Sequence, residues 1–428
     1  MFLQTVVADG QAELRFIEEM KARAEETRGD IEETVRRIMD DVRVRGMEAV
    51  EEYSKRYDKV KPFIVGREVI DRACAGCDPE LRKTLEQAAE NIRDYHEKML
   101  AKSWQYERAP GAVLGQMVRG MHKVGLYVPG GTAAYPSSVL MSAIPAKVAG
   151  VEELVIVTPP TENLSVEVLT AARIAGVDTI IAVGGTQAIA ALAYGAGFIP
   201  RVDKIVGPGN AYVAAAKKLA FGMVDIDMIA GPSEVLVIAD HTANPSYVAA
   251  DLLSQAEHDR LASAVLLTDS MAQAQAISAE MERQAKALPR WEIIRDSVRN
   301  YGCAIVFEDL KDACRMANTV APEHLEIVTA NPRELLPYIT DAGAVFLGQY
   351  SPEPLGDYMA GPSHVLPTSG TARFFSPLST DTFLKKTSVI EYSRGQLEAL
   401  SGGIIQLAQA EKLDAHANAV RIRFSEEG

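Results

Sequence analysis

From about residue 123 onward the chain alternates short, β-rich apolar runs with helical segments, and this alternation limits the possible folds more than any other feature. The runs are "VGLYVP", "ELVIVTPP", "TIIAVGG", "KIVGPG" and "EVLVIAD", and between them lie "SVEVLTAARIAG", "QAIAALAYGAG" and "NAYVAAAKKLA". Strands that alternate with helices and end in Gly or Pro turns build a parallel α/β layer. A second block repeats the texture in "SAVLLTD", a long helix through 271 to 289, "CAIVFED", "LEIVTA" and "GAVFLG". Ahead of both blocks, "AELRFIEEMKARAEE", "DIEETVRRIMDDVRVRGMEAVEEYSKRYD" and "PELRKTLEQAAENIRDYHEKML" place apolar residues at helical spacing among dense charges. From 377 onward the chain reads as a helical, less regular tail that packs on something else. No fixed-period repeat or low-complexity segment interrupts this order.

A length of 428 residues suits two or three domains. The formal charge of −14, with no clustered Lys or Arg, argues against nucleic acid or an anionic membrane as partner. A dinucleotide would then be held by backbone amides and local geometry. The start of the chain lacks the basic and apolar regions of a signal peptide, and the apolar window at 188 to 199 is too short to span a bilayer. Four cysteines in this length argue for a reducing compartment, and the lone C-x2-C of Cys74 and Cys77 reads as structural or incidental. The expected location is cytoplasmic.

The histidines narrow the chemistry. His96 reads as solvated surface on a charged helix, and His122 and His241 sit at element boundaries without an informative partner. In "LLSQAEHDR", Gln255 and His258 lie three apart, a spacing that shares one helical face. "APEHLEI" sets Glu323 beside His324 after the rigid Pro322, which suits either a proton-transfer pair or a helix cap with a surface histidine. The Pro/Gly-rich stretch 351 to 374 carries Asp357 and His364, and 411 to 423 carries Glu411 and His416. Gln255, His258, Asp357 and His416 would form a mixed oxygen and nitrogen set suited to zinc, although nothing in their spacing brings them together. "AVGGTQ" and "VGPGNA" are strand-to-helix turns that could offer N–H groups to phosphate, without the G-x-G-x-x-G pattern. The residues alone support an α/β enzyme with a metal site.

Several of these segments occur together and in order: "GLYVPGG", "AIPAKVAGV", "VGGTQAIAALAYG", "KIVGPGNAYV", "DMIAGPSEVLVIAD", "DLLSQAEHD", "APEHLE", "GDYMAGPSHVLPTSGTARF" and "LDAHANAV". From about residue 120 to the end the chain thereby resembles the histidinol dehydrogenase family, and the N-terminal helices resemble it more loosely. The resemblance implies an α/β fold of two incomplete Rossmann-like domains with parallel sheets, N-terminal helices and a C-terminal tail that crosses a dimer. Residues 1–122 would pack with 238–376 as one discontinuous domain, 123–237 would contact NAD, and 377–428 would reach the partner subunit. The implied activity is zinc-dependent oxidation of L-histidinol to L-histidine through the aldehyde, reducing two NAD, at the end of histidine biosynthesis.

By the same resemblance one zinc per subunit is held by Gln255, His258 and Asp357, with His416 supplied across the homodimer interface. Those four, with Ser233, His324 and Glu411, match the substrate-binding positions. Glu323 and His324 match the proton-transfer pair, and Tyr127, Gln187 and Asn210 match NAD contacts. The family often has Asn where this chain has Ser363, which bears on His364 as a substrate neighbour. The competing readings are a related zinc dehydrogenase of a sulfonated diol and a non-catalytic dinucleotide-binding scaffold.

Overall fold

The computed structural model describes residues 2–25, 29–130, 135–160, 164–229 and 231–425, so Glu26, Gly131 and Ala230 of the quoted segments lie outside the described residues. The strands in chain order begin with β1 (Gln4–Val7), β2 (Phe63–Ile64), β3 (Trp104–Ala109), β4 (Ala112–Gly120) and β5 (Lys123–Tyr127). Next come β6 (Glu153–Thr158), β7 (Thr179–Ala182), β8 (Lys204–Val206), β9 (Asp225–Ile226) and β10 (Glu234–Ala239). The last are β11 (Ser263–Thr268), β12 (Gly302–Val306), β13 (His324–Val328), β14 (Ala344–Leu347) and β15 (Leu384–Tyr392). Contacts divide the chain into two compact units, Met1–Met99 with Met121–Phe383, and Leu100–Gly120 with Leu384–Gly428.

The larger unit holds two six-stranded sheets, ordered β2-β7-β6-β5-β8-β9 and β1-β12-β11-β10-β13-β14. Each has a parallel core in the dinucleotide-binding order 3-2-1-4-5, one strand short of the full 3-2-1-4-5-6, so the expected pair of incomplete Rossmann-like sheets is present. Helices cover both faces, which is why β6, β10 and β11 are buried almost throughout and read as apolar runs without alternation. Local signals set the helix ends. Asn244 caps the helix Pro245–Ala256 through the Ser246 N–H with Pro245 in its first turn, and Gly176 ends the helix Val166–Ala175 in the left-handed region.

The N-terminal segment is shared between the two cores. Val35, Ile38 and Val42 pack with Leu192 and Ile205 of the first sheet's layer, whereas Phe16 and Ile17 pack with Leu236 and Ile305 of the second. The segment is not wholly helical, because β1 extends the second sheet in parallel register with β12. His96 also departs from the sequence reading. It is fully buried, continuing the stripe Leu85, Ala88, Ala89 and Ile92 of the helix Pro79–Met99, and its Nδ1 lies 2.8 Å from the Ile92 carbonyl. The surrounding charges concealed that stripe in the sequence.

In the smaller unit β15 and β3 flank β4 in an antiparallel sheet, with Leu384 opposite Gly120 and Tyr392 opposite Ala112. The helices Arg394–Ala410 and Asp414–Arg421 follow. The tail thus contains a strand where the sequence read as helical, because "LKKTSVIEY" is largely exposed and lacks clear alternation. No helix among the described residues is long and apolar enough to cross a membrane.

Candidate active site

One cavity of about 300 Å³ gathers most of the singled-out residues. From the second sheet it draws the starting edge: Ser233 just ahead of β10, and Glu323 and His324 where β13 opens. Gln255 comes from the last turn of Pro245–Ala256, and His258 from the turn just beyond it. From the first sheet it draws the finishing edge, with Pro129 after β5 and Gly207, Pro208 and Gly209 after β8. The opposite edge of the second sheet, where such sheets usually receive ligand, is tied by the chain itself. Asp240, just after β10, accepts the Thr242 N–H at 2.8 Å and, beyond β13, the Ala330 N–H at 2.9 Å.

The pair 323–324 is set by local backbone. The helix Leu310–Val320 ends at Ala321, a non-glycine residue in the left-handed region (φ 51°), and Pro322 then directs the chain into β13. Both side chains are buried, which removes the reading of a cap with a surface histidine. Glu234 addresses both with its backbone: its N–H donates to Glu323 Oε2 at 2.9 Å, and its carbonyl lies 3.0 Å from His324 Nδ1. Because a carbonyl only accepts, Nδ1 carries the proton, and Nε2 is left as a buried lone pair with no hydrogen-bond partner. Burial pushes His324 down to about 4, with His364 and His258 adding to the effect. Burial also raises the Glu323 carboxyl well above its ordinary range, against the pull of the Glu234 N–H.

The helix Glu353–Tyr358 places Glu353 and Asp357 one turn apart on one face. Candidate ligand atoms of His324, Glu353 and Asp357 lie within 4.8 Å of one another. Burial and the mutual proximity of the two carboxyls push Glu353 up to about 8, and burial raises Asp357 to about 6. Gln255 Oε1 is buried without a partner in the same cavity. His364 hydrogen-bonds through Nδ1 to the Asp357 carbonyl at 3.1 Å and through Nε2 to Ser138 Oγ at 3.3 Å. Ser363 is committed elsewhere, donating to the Met141 carbonyl at 3.2 Å. Crowded carboxyls beside the orphaned Gln255 amide oxygen fit a dication, which would favour their ionised forms and give that oxygen a partner.

Tyr127, Gln187 and Asn210 all stand at the finishing edge of the first sheet. The Tyr127 hydroxyl accepts the Gly185 N–H at 3.2 Å, and Gln187 Nε2 donates to Asp58 at 3.3 Å. Asn210 caps the helix Ala211–Ala220. Gly207 (φ 111°) runs so close to β5 that a Cβ there would lie 2.2 Å from the Tyr127 carbonyl, so this crossing requires glycine. Glu411 and His416 lie in the smaller unit, at the end of Arg394–Ala410 and within Asp414–Arg421, and both are exposed.

Sequence reasoning missed Glu353 and the Lys217–Asp227 ion pair. Glu353 stands four residues before Asp357, a spacing that could have revealed it. Lys217 and Asp227 are almost completely buried, and both hold the backbone of Gly207: Nζ donates to its carbonyl at 2.9 Å, and Asp227 accepts its N–H at 2.8 Å. No sequence signal marks that pair.

A family model described as histidinol dehydrogenase matches residues 21–424. The histidinol dehydrogenase of Heliobacterium mobile is 55% identical over 396 residues, covering 91% of this chain and 93% of that protein. That of Bacillus subtilis (strain 168) is 55% identical over 394 residues, covering 91% and 92%. The crystal structure of histidinol dehydrogenase from Elizabethkingia anophelis has a TM-score of 0.93 at 37% identity, covering 99% of this chain and 98% of that one.

Proposed function

The chain belongs to the histidinol dehydrogenase family, and from that premise we propose that it oxidises L-histidinol to L-histidine through L-histidinaldehyde, reducing two NAD. The observation that carries the reading is the buried, partnerless Nε2 of His324, held beside the Glu323 carboxyl in the cavity that also contains Gln255, His258 and Asp357. Gln255, His258 and Asp357 would hold zinc, with His416 of the partner subunit completing the set. Zinc there would supply a positive charge that orients the substrate's imidazole and amine and favours loss of the hydroxyl proton.

His324 is the base for that proton. Its Nδ1–H is fixed on the Glu234 carbonyl, so the proton is received at Nε2. Tyr127, Gln187 and Asn210 would position NAD, the hydride acceptor, at the β5–β8 crossing, where the fold provides a cleft. Glu323 then deprotonates the water that hydrates the aldehyde, and the hydrate passes a second hydride to a second NAD as His324 again takes the hydroxyl proton. Ser233 and Glu411 would bind the substrate, the latter by its carboxylate against the amine. Large apolar side chains exposed on the smaller unit, among them Ile390, Leu407 and Ile422, support a homodimer in which that unit is covered.

The test is the steady-state rate with L-histidinol and with a sulfonated diol. Efficient oxidation of L-histidinol alone is expected, and turnover of the sulfonate alone would overturn the substrate assignment.

A further inference from the structure

Strand β6 ends at Thr158, and Pro159 and Pro160 follow it. In a sheet of this order, the carboxylate that hydrogen-bonds the ribose of a nicotinamide dinucleotide usually stands at the end of this strand. Among the described residues there, Thr158, Pro159 and Pro160, none is acidic, and the fold brings a carboxylate to the same place from a distant segment. Asp58 follows the helix Met47–Tyr57, and its half-buried carboxylate meets the turn that opens the helix Gly185–Tyr194. It accepts Gln187 Nε2 at 3.3 Å, and the Gly184 N–H is near enough to lower its carboxyl. Gly184 is packed on the end of β6, since a Cβ there would lie 2.6 Å from Pro159 Cγ. The Tyr127 hydroxyl, bonded to the adjoining Gly185 N–H, lies close enough to feel the Asp58 charge.

Two further facts bear on the role of this carboxylate. The influences on Asp58 are burial, which raises its carboxyl, and the Gln187 and Gly184 donors, which lower it; no ion pair with Lys or Arg is among them. The N-terminus of Gly185–Tyr194 would otherwise attract a phosphate, and the chain's own anion already stands at it.

We propose that Asp58 selects NAD over NADP: its carboxylate, held beside the end of β6, accepts hydrogen bonds from the adenosine ribose hydroxyls and repels a 2′-phosphate. The inference rests on the reading of this sheet as the NAD site. It assigns a specificity role to a residue outside the sheet, on the N-terminal helical segment. A purely structural Asp58 would cap the neighbouring helix, and Asn would serve that purpose as well.

The test uses the full-length protein and the variants Asp58→Asn and Asp58→Ser, both of which keep a capping oxygen. Calorimetry measures binding of ADP-ribose and of 2′-phospho-ADP-ribose, and KM and kcat are measured with NAD and NADP. A charge-assisted hydrogen bond corresponds to about 10- to 100-fold in affinity. The variants should therefore bind ADP-ribose about 10-fold or more weakly, gain affinity for the 2′-phosphate form, and shift KM more than kcat. If wild type binds ADP-ribose and both variants keep its preference, the role of Asp58 is overturned while the cofactor reading stands. If wild type binds neither ligand and NAD supports no turnover, the cofactor reading falls and this inference falls with it.

Discussion

Stripped of metal, the protein should lose stability as the pH rises from 6.5 to 8, and Glu353→Gln should remove one carboxyl group's share of that loss. Glu353 is 2% exposed, and burial followed by the nearby Asp357 pushes its carboxyl up to about 8. Asp357 is raised to about 6. A carboxyl raised in the folded state contributes stability that is fully present below its unfolded value, and that stability is lost as the pH climbs to the folded value. For Glu353 the window runs from 4.5 to about 8, and for Asp357 from 3.8 to about 6. His324 and His364 act in the opposite sense. Burial lowers both from 6.5 to about 4, so each adds stability as the pH rises between those values.

Below pH 6.5 the two sets oppose each other, and above it the histidines no longer titrate while Glu353 still does. One group is worth about 1.4 kcal/mol per pH unit, so Glu353 should account for roughly 2 kcal/mol between pH 6.5 and 8. Glu323 and Glu326, also raised by burial, steepen the curve in wild type and variant alike. The assay is urea unfolding of chelator-treated wild type and variant at both pH values, with midpoints converted by the measured slopes. Excess zinc should flatten the wild-type curve, because a dication favours ionised carboxylates. Parallel curves for the two metal-free proteins would refute the reasoning.

Four other substitutions address the chemistry. His258→Ala or Asp357→Ala should remove metal and activity together while leaving the fold largely intact, as metal analysis and circular dichroism would show; stoichiometric zinc with near-normal turnover would contradict the ligand assignment. Glu323→Gln keeps an oxygen for the Glu234 N–H but cannot take a proton, so oxidation of the aldehyde should slow by about two to four orders of magnitude and far more than oxidation of the alcohol. His324→Asn should damage both steps, and rates measured separately with L-histidinol and L-histidinaldehyde distinguish the two roles.

The architecture was legible because its signal is local. Parallel strands covered on both faces must be continuous apolar runs, and their turns end in Gly or Pro, as at "TIIAVGG" and "KIVGPG". The sites converge through topology, which leaves no periodic trace. Gln255 and Asp357 reach one cavity only because β10, β13 and β14 are neighbours and the segments after β10 and β14 return to the same edge. Charge patterning misled at His96, where a narrow apolar stripe runs through a helix rich in ionic residues. It was silent at Lys217 and Asp227, which look like ordinary surface charges until the fold buries them together. Strand β15 was hidden for a related reason: its partner β4 lies more than 250 residues earlier, and its own exposed, charged sequence lacks the alternation of a half-buried strand.

The central claim is a four-electron oxidation completed on one protein, and the NADH formed per L-histidinol consumed tests it most directly. With zinc supplied and NAD in excess, the ratio should be two, with L-histidine as product and no aldehyde accumulating in solution. A ratio of one with release of L-histidinaldehyde, or no NADH at all from the metal-loaded protein, would contradict the account.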